Sequence, residues 1–169
     1  MKRIKGTDGV ALVECVNPIT NKWRVRWDVQ ANAGTDEKGE PETGVNYMEE
    51  EFSCKPTFSE IKELITGWFN QLIDEKILSG FVWNGFPVWL STENQFNYKA
   101  AYDLAVQTNG TTLPVTFKFG SDETPEYHEF KTLDELTDFY IKSVAFVQDT
   151  LKQGWTEKDT FDFAPYQEE

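Results

Sequence analysis

The apolar residues of this chain alternate with polar residues in some stretches and recur at helical spacing in others. Between Trp23 and Gln30 the alternation holds at every position, which predicts a half-buried antiparallel strand. Its predicted apolar face carries Trp23, Val25, Trp27 and Val29. A short apolar run, Val10 to Val16, precedes it across turn residues 17–21, so the two runs predict a hairpin. Val45 to Cys54 is predicted as a third strand.

The clearest local signal is Asn84-Gly85, which stands between the apolar segments 81–83 and 86–90. Asn-Gly best tolerates the two positive φ angles of a type I′ turn, so these segments are predicted to form a β-hairpin. Pro87 has no N–H to donate, which predicts that the second strand is an edge strand or pairs on one side only.

A capped helix is predicted to follow the hairpin directly. Ser91 or Thr92 is a suitable N-cap, and Gln95 lies three residues after Thr92, as in a capping box. Glu93 falls in the first turn, where the helix dipole favours a negative charge. The apolar face predicted to pack on a sheet carries Phe96, Ala100, Ala101, Leu104 and Ala105. We infer that the aromatic hairpin and the helix after it form a fixed scaffold for protein contacts. Exposure of Phe96, Ala100 and Leu104 would contradict this inference.

Two further helices are predicted behind Thr-x-x-Glu capping boxes, at Thr57 and at Thr132. The first runs to about Leu78, and Gly67 inside it suggests a close packing contact, because glycine costs roughly 1 kcal/mol relative to alanine in a helix. The second is predicted to end with Gly154 at its C′ position. Its predicted apolar stripe consists of Leu133, Leu136, Tyr140, Val144, Val147 and Leu151.

Two strands, at 113–119 and 127–130, are predicted between the central helix and the last one. The predicted class is therefore α+β, with antiparallel hairpins and small sheets packed against three amphipathic helices. We divide the chain into an N-terminal β-rich lobe ending in a helix (1–78), a hairpin-helix-hairpin-helix lobe (79–155) and a C-terminal tail (156–169).

The formal net charge of −13 repels the phosphate backbone, so direct nucleic-acid binding through phosphate contacts is not expected. Such acidity is typical of a solubilising surface, and a DNA-mimicking surface is the alternative. No segment approaches the roughly 18 to 20 apolar residues of a membrane span, and no signal peptide is recognisable. No membrane association is predicted, and the expected location is the cytoplasm.

Residues with catalytic or metal-binding chemistry are few. His128 is the single histidine, so no Ser-His-Asp or Cys-His arrangement exists without it, and a lone strand histidine is more often structural. Cys15 and Cys54 stand outside any zinc-binding spacing, and two buried free thiols are favoured over a cross-strand disulfide. Neither a catalytic residue nor a cofactor is predicted.

Acidic residues concentrate in two places. The segment 32–44 is predicted to be an exposed, mobile loop, and its spacing does not match an EF-hand calcium loop. Glu49-Glu50-Glu51 lies inside the third strand, where alternation sends Glu50 to the opposite face and an exposed edge strand is the usual place for such charges. Neither cluster predicts a metal site.

Aromatic residues gather around the central hairpin. They either fill the core or form an exposed patch that docks a protein, since Trp and Tyr dominate interface anchors. Trp83 and Trp89 lie on opposite limbs of the hairpin, so at least one is expected to remain exposed. The candidate protein-contact residues are Trp83, Asn84, Gly85, Phe86 and Trp89.

Several of these segments resemble a family of uncharacterised proteins from gut anaerobic bacteria and their prophages. The likeness is carried by WRVRWD at 23–28, SGFVWNG at 79–85, VWLSTENQFN at 88–97, LPVTFKFG at 113–120 and the helix at Thr132. Residues 79–154 also resemble a domain of unknown function found in phage tail-associated proteins. The resemblance implies a phage or prophage origin and supplies no catalytic residue.

The expected function is that of a non-enzymatic phage structural or assembly protein. Its partner would be a phage tail or assembly component, or a second copy of itself, in the host cytoplasm or in the virion. An acidic, nucleic-acid-mimicking inhibitor of a host enzyme is one alternative, and it requires carboxylates along one elongated face. A carboxylate-based enzyme is the other, and it requires a deep pocket with an Asp or Glu of raised pKa.

Overall fold

A computed structural model describes residues 1–34, 43–121 and 123–167. The strands are β1 Lys2–Gly6, β2 Val13–Asn17, β3 Lys22–Ala31, β4 Val45–Phe52, β5 Phe81–Trp83, β6 Phe86–Val88, β7 Val115–Gly120 and β8 Pro125–Phe130. The helices are α1 Phe58–Ser79, α2 Thr92–Gln107 and α3 Leu133–Asp159, followed by a short 3-10 helix, Ala164–Tyr166. The predicted acidic loop and its calcium alternative fall mainly on residues 35–42, outside the described residues.

The α+β prediction is confirmed. Within the described residues, the strands form antiparallel sheets of four, two and two strands, and three α-helices accompany them. The chain divides into two compact units, Met1–Gly67 with Phe161–Glu169, and Trp68–Thr160. The predicted domain boundaries after residues 78 and 155 stay predictions.

The four-stranded sheet belongs to the first unit and has the order β1-β4-β3-β2. The predicted β2–β3 hairpin is confirmed. The sequence analysis missed β1. It also placed the three glutamates on an edge strand, but β4 is an inner strand, because β1 pairs with its outer side. The charges of Lys2, Arg3 and Lys5 hide the strand pattern of β1, and Lys2 lies directly opposite Glu49 of β4. The charged residues of β1 thus stand where the alternating apolar pattern that usually reveals a strand would be.

A bulge interrupts β3 between Trp27 and Gln30. Asp28 has a φ of 50° there, and the β3–β4 register shifts. The extra residue changes which side chains face inward, so Val29 is 41% exposed although alternation predicts it on the buried face. Before the bulge the prediction holds, since Val25 and Trp27 are fully buried.

Both helical glycines differ from their predicted roles. A Cβ added at Gly67 meets nothing within 4 Å, so the predicted packing contact in α1 is wrong. Gly154 is not a C-cap, because α3 continues to Asp159 and is capped by Thr160. A Cβ at Gly154 would lie 2.2 Å from Ile73 Cγ1, so the close helix contact is at Gly154, where α1 and α3 approach each other. The capping residues of the two helices are Thr57 and Thr132, as predicted.

The hairpin predicted at Asn84-Gly85 is confirmed as β5 and β6. Asn84 and Gly85 have φ angles of 49° and 85°, which a primed turn requires. The hairpin is a two-stranded sheet, so Pro87 lies in a strand paired on one side only, as predicted. Its inward residues, Phe81, Trp83 and Val88, are buried.

The predicted apolar face of α2 is correct for Ala105, which is buried, and wrong for Phe96, Ala100 and Leu104. Phe96 is 71% exposed and Leu104 is 50% exposed, and Ala100 is exposed too. The buried residues of α2 are Tyr98 and Ala105. The helix therefore packs Tyr98 and Ala105 into the hydrophobic core of the second unit. The prediction of a contact scaffold in which this face of α2 is buried is therefore wrong.

The cap of α2 also differs in detail from the Thr92-Gln95 capping box. Ser91 is the N-cap, and its hydroxyl accepts from the Asn94 N–H at 3.2 Å. Gln95 instead donates from Nε2 to the carbonyl of Leu90 at 2.8 Å. Glu93 lies in the first turn, as predicted.

The core of the second unit is a cluster of aromatic rings. Its buried members are Phe81, Trp83, Val88, Leu90, Tyr98, Ala105, Phe117, Phe119, Phe130, Leu136 and Phe139. The buried residues of α3 are Leu136, Phe139, Ser143, Thr150 and Gly154. The predicted stripe includes Leu136 but misses Phe139, and Tyr140 and Val144 lie beside the buried face rather than on it.

Candidate protein-contact surface

The structure separates the predicted contact residues. Trp83 is 2% exposed and packs against Phe119, Phe130 and Phe139, so it is a core residue and leaves the candidate surface. Trp89 is 50% exposed. The expectation that at least one of these tryptophans stays exposed is therefore confirmed.

Trp83 is also held by a polar contact. Its indole Nε1–H donates to Asp138 Oδ2 at 3.0 Å, and Lys142 donates to the same oxygen at 2.9 Å. The hydrogen bond from Lys142, followed by that from Trp83, lowers the pKa of Asp138. This contact joins the hairpin to α3.

The turn residues Asn84 and Gly85 are exposed, and Phe86 is half-buried. The Phe86 ring lies 6.4 Å from Phe119 and 6.1 Å from His128, measured between ring centroids. The hairpin tip thus presents backbone and a small amide to solvent, while its large rings point inward.

A helix face that the sequence assigned to the core is an exposed apolar surface of the second unit. We call Phe96, Ala100 and Leu104 the α2 stripe. Residues four apart lie on the same side of a helix, so the three side chains are neighbours. The stripe was missed as a surface because Tyr98, Tyr102 and Ala105 form a competing stripe with the same periodicity. The two large aromatic rings of the competing stripe were the signal available in the sequence.

A groove of about 320 Å³ runs beside the stripe, between α2 and α3. It is lined by Gln95, Phe96, Lys99, Tyr140, Ser143, Val144, Val147 and Gln148. The two helices also contact each other through the stacked rings of Tyr102 and Tyr140, whose centroids are 4.4 Å apart. Phe96 thus belongs to both the stripe and the groove.

An ion pair borders the stripe on the side of the groove. Lys99 Nζ contacts Asp103 Oδ2 one helical turn away, and both side chains are largely exposed. The hydrogen bond from Lys99 to Asp103 raises the pKa of the Lys99 ammonium. The stripe is therefore edged by one positive and one negative charge.

A second concavity, of about 310 Å³, lies at Trp89 and is also lined by Asn94, Lys118, Gly120 and Ser121. Asn94 donates from Nδ2 to the Trp89 carbonyl at 2.9 Å, which fixes the chain where it enters α2. Ser121 Oγ accepts from the Thr124 N–H. These polar groups fix the local backbone.

His128 lies in a ring cluster beside the N-terminus of α3. Its Nε2 is 2.9 Å from Glu135 Oε1, and its ring centroid is 5.0 Å from that of Trp83 and 4.6 Å from that of Phe130. Glu135 thereby turns toward the histidine rather than toward Thr132. These contacts give His128 a packing role.

The three glutamates of β4 are held by cations. Glu49 is 2% exposed and accepts from Arg26 Nε at 2.9 Å, while Glu51 accepts from Arg24 Nη2 at 2.9 Å. Glu50 points to the other face, as predicted, and pairs with the N-terminal ammonium. The cluster is a set of ion pairs that fixes strand register.

Metal and thiol chemistry find no assembled site in the described parts of the chain. No group of three or more His, Cys, Asp or Glu residues there is placed to hold a metal ion. Cys15 and Cys54 are free thiols, as favoured, but Cys54 is exposed, so the expectation that both are buried is wrong. Among the described residues, none of the helices has the length and apolar character needed to cross a membrane.

The chain matches no protein-family model, no curated protein and no solved structure.

Proposed function

We propose that this chain is a non-enzymatic phage or prophage protein that acts through protein–protein contacts, as a structural or assembly component. The single observation that carries the proposal is the exposed α2 stripe. Phe96 and Leu104 leave 71% and 50% of their surfaces in water on one helix face. Contiguous exposed apolar side chains of this size are typical of protein interaction surfaces. The phage assignment draws on the sequence resemblance alone.

Trp89 adds an exposed aromatic ring to the same unit. Tryptophan is enriched among residues that dominate binding energy at protein interfaces. The predicted contact surface therefore changes its membership: Trp89 stays, Trp83 leaves, and Phe96 and Leu104 enter. The proposed sites of action are the bacterial cytoplasm and the virion.

Part of the acidity is neutralised within the chain. Eight described acidic side chains are paired with cations of the same chain, so these eight do not present the unpaired charges of a phosphate backbone. These acids are Glu14, Asp28, Glu49, Glu50, Glu51, Asp103, Glu129 and Asp138.

Three carboxyl groups have a lowered pKa, which is the opposite of the shift that the carboxylate-enzyme alternative requires. Partners lower the pKa of Glu51, Glu60 and Asp138: for Glu51 the hydrogen bonds from Lys22 and Arg24, for Glu60 the hydrogen bonds from Thr57, and for Asp138 the hydrogen bond from Lys142. A lowered pKa keeps a carboxylate ionised at neutral pH. A general acid needs the opposite shift.

The test is affinity capture from phage-producing cells with the intact chain and with Phe96→Ser/Leu104→Ser. We expect the intact chain to capture a phage structural protein, identified by mass spectrometry, and the double variant to lose it. Tyr127→Ser is the matched control, because Tyr127 is 69% exposed and lies outside the stripe. Capture that survives Phe96→Ser/Leu104→Ser but is lost in Trp89→Ala would move the site to the hairpin. Empty captures by a folded chain contradict the proposal.

A further inference from the structure

The side chains of the α2 stripe have the order large, small, large, which is the same in both chain directions. Two large side chains, Phe96 and Leu104, lie four residues on either side of the small Ala100. With a rise of 1.5 Å per residue, the stripe is about 12 Å long. A two-fold symmetric contact requires a surface that complements itself in this way.

We propose that the α2 stripe docks on the α2 stripe of a second copy of this chain, as an antiparallel helix pair with Ala100 at the two-fold axis. This inference rests on the proposed function and names the first partner of its surface. In such a pair Phe96 meets Leu104 of the second copy, and Ala100 meets its own equivalent. The small alanines let the helix axes approach to roughly 8 Å, the short end of helix–helix distances.

The charges beside the stripe support a second copy as the occupant. Lys99 lies one residue before Ala100, and Asp103 lies three residues after it, on the same flank of the helix. In an antiparallel pair the same flanks face each other, so Lys99 lies about 3 Å along the axis from Asp103 of the second copy. The two ion pairs within the two helices can therefore be exchanged for two ion pairs between copies. One helix thus supplies both halves of a complementary contact.

The net charge of the chain gives the pair a characteristic salt dependence. Two chains of formal charge −13 repel each other, and salt screens this repulsion. Added salt should therefore strengthen self-association until the exchanged ion pairs are screened as well. A basic partner protein would show the opposite trend, because salt weakens attraction between opposite charges.

The test is analytical ultracentrifugation of the full chain over a concentration series, at about 150 mM and about 500 mM salt. We expect a monomer–dimer equilibrium that Phe96→Ser/Leu104→Ser abolishes. Val106→Ser is the matched control on the same helix, because Val106 is 44% exposed but lies away from the stripe, and it should leave the dimer intact. Far-UV circular dichroism of each variant confirms that the helices are retained.

A charge exchange tests the antiparallel geometry. Lys99→Glu makes the flank wholly negative, and Asp103→Lys makes it wholly positive, so each variant alone should dimerise at least about tenfold more weakly. An equimolar mixture of the two should recover dimers, because opposite flanks then face each other. A mixture that stays monomeric overturns the antiparallel arrangement.

A disulfide cross-link between the two copies tests whether Ala100 lies at the two-fold axis. In a Cys15→Ser/Cys54→Ser background, Ala100→Cys should form a covalent dimer on mild oxidation, since disulfides need Cα atoms within about 7 Å. Val106→Cys in the same background should not. A folded wild-type chain that is monomeric at every concentration overturns this inference. If that monomer still captures a phage protein through Phe96, the proposed function stands and only the second copy is excluded.

Discussion

The sheet of the first unit and the core of the second unit bury different chemistry. In the sheet, the Arg26 side chain is 7% exposed and is surrounded by Glu49, Glu14 and the Ala11 carbonyl. Burial lowers the pKa of the Arg26 guanidinium, but hydrogen bonds to Glu14 and Glu49 outweigh that effect and raise it. In the second unit Phe139 is fully buried within a cluster of hydrophobic residues.

The Phe139 ring has six aromatic neighbours with centroid distances of 5.0 to 6.3 Å, namely Phe81, Trp83, Tyr98, Phe117, Phe119 and Phe130. Ring contacts are individually weak and tolerate small displacements, whereas an ion pair such as Arg26–Glu49 fixes which residues lie opposite each other. The first unit therefore specifies strand register with charge, whereas the second unit gains stability by filling volume.

The largest expected effect comes from removing the central ring. Phe139→Ala should destabilise the protein by about 3 to 5 kcal/mol, because it removes a fully buried side chain and leaves a cavity. Urea unfolding followed by tryptophan fluorescence measures this loss. Tyr127→Ala, at an exposed ring of the same unit, should change stability by at most about 0.5 kcal/mol. Equal losses in the two variants would contradict the ring-packed core.

The second-largest effect is expected from breaking the buried Arg26–Glu49 ion pair of the sheet. Glu49→Ala leaves the buried Arg26 without one of its anions and should cost about 3 kcal/mol. Glu51→Ala removes a neighbouring glutamate whose side chain is 34% exposed, and should cost much less stability than Glu49→Ala, because solvent screens exposed ion pairs. Replacing both members, as in Arg26→Met/Glu49→Leu, should recover most of the loss because no charge remains buried. A double variant less stable than Glu49→Ala would show that the pair itself stabilises the sheet.

The two helical glycines give effects of opposite sign. Gly154→Ala should destabilise by about 1 to 3 kcal/mol, because the new Cβ would overlap the Ile73 side chain. Gly67→Ala should stabilise by up to about 1 kcal/mol, because the space there is open and alanine favours the helix. Thermal unfolding of both variants measures the pair. Changes of the same sign would mean that the approach of α1 and α3 at Gly154 is not tight.

The smallest effect is a pH dependence in the second unit. Burial raises the pKa of the Tyr98 hydroxyl from 10.0 to about 12, because the phenolate is disfavoured in the core. The resulting contribution to stability is complete below the unfolded pKa and is lost as pH rises through the folded pKa. Stability should therefore fall between about pH 10 and pH 12, and fall less steeply in Tyr98→Phe. Urea midpoints across this range measure the slopes, with the exposed Tyr127→Phe as control. Identical slopes in all three proteins would contradict a buried Tyr98.

Local signals in the sequence were sufficient where neighbouring residues decide the structure. Asn84-Gly85 predicts its turn because positive φ angles depend on those two residues alone. The same holds for Thr57 and Glu60, whose reciprocal hydrogen bonds begin α1. By contrast, β1 carries no such signal, since it pairs with β4, whose residues lie roughly 40 to 50 positions away along the chain.

The sequence by itself determined the α+β class, the central hairpin and the starts of the helices, because these follow from the spacing and backbone preferences of adjacent residues. Only the tertiary structure decided that β4 is an inner strand, that Gly154 rather than Gly67 is the close contact, and that α2 turns Tyr98 inward and Phe96 outward. A helix with two apolar stripes can bury either one, and the choice depends on the shape of the surface it packs against. That surface is assembled from distant segments, which no local pattern describes.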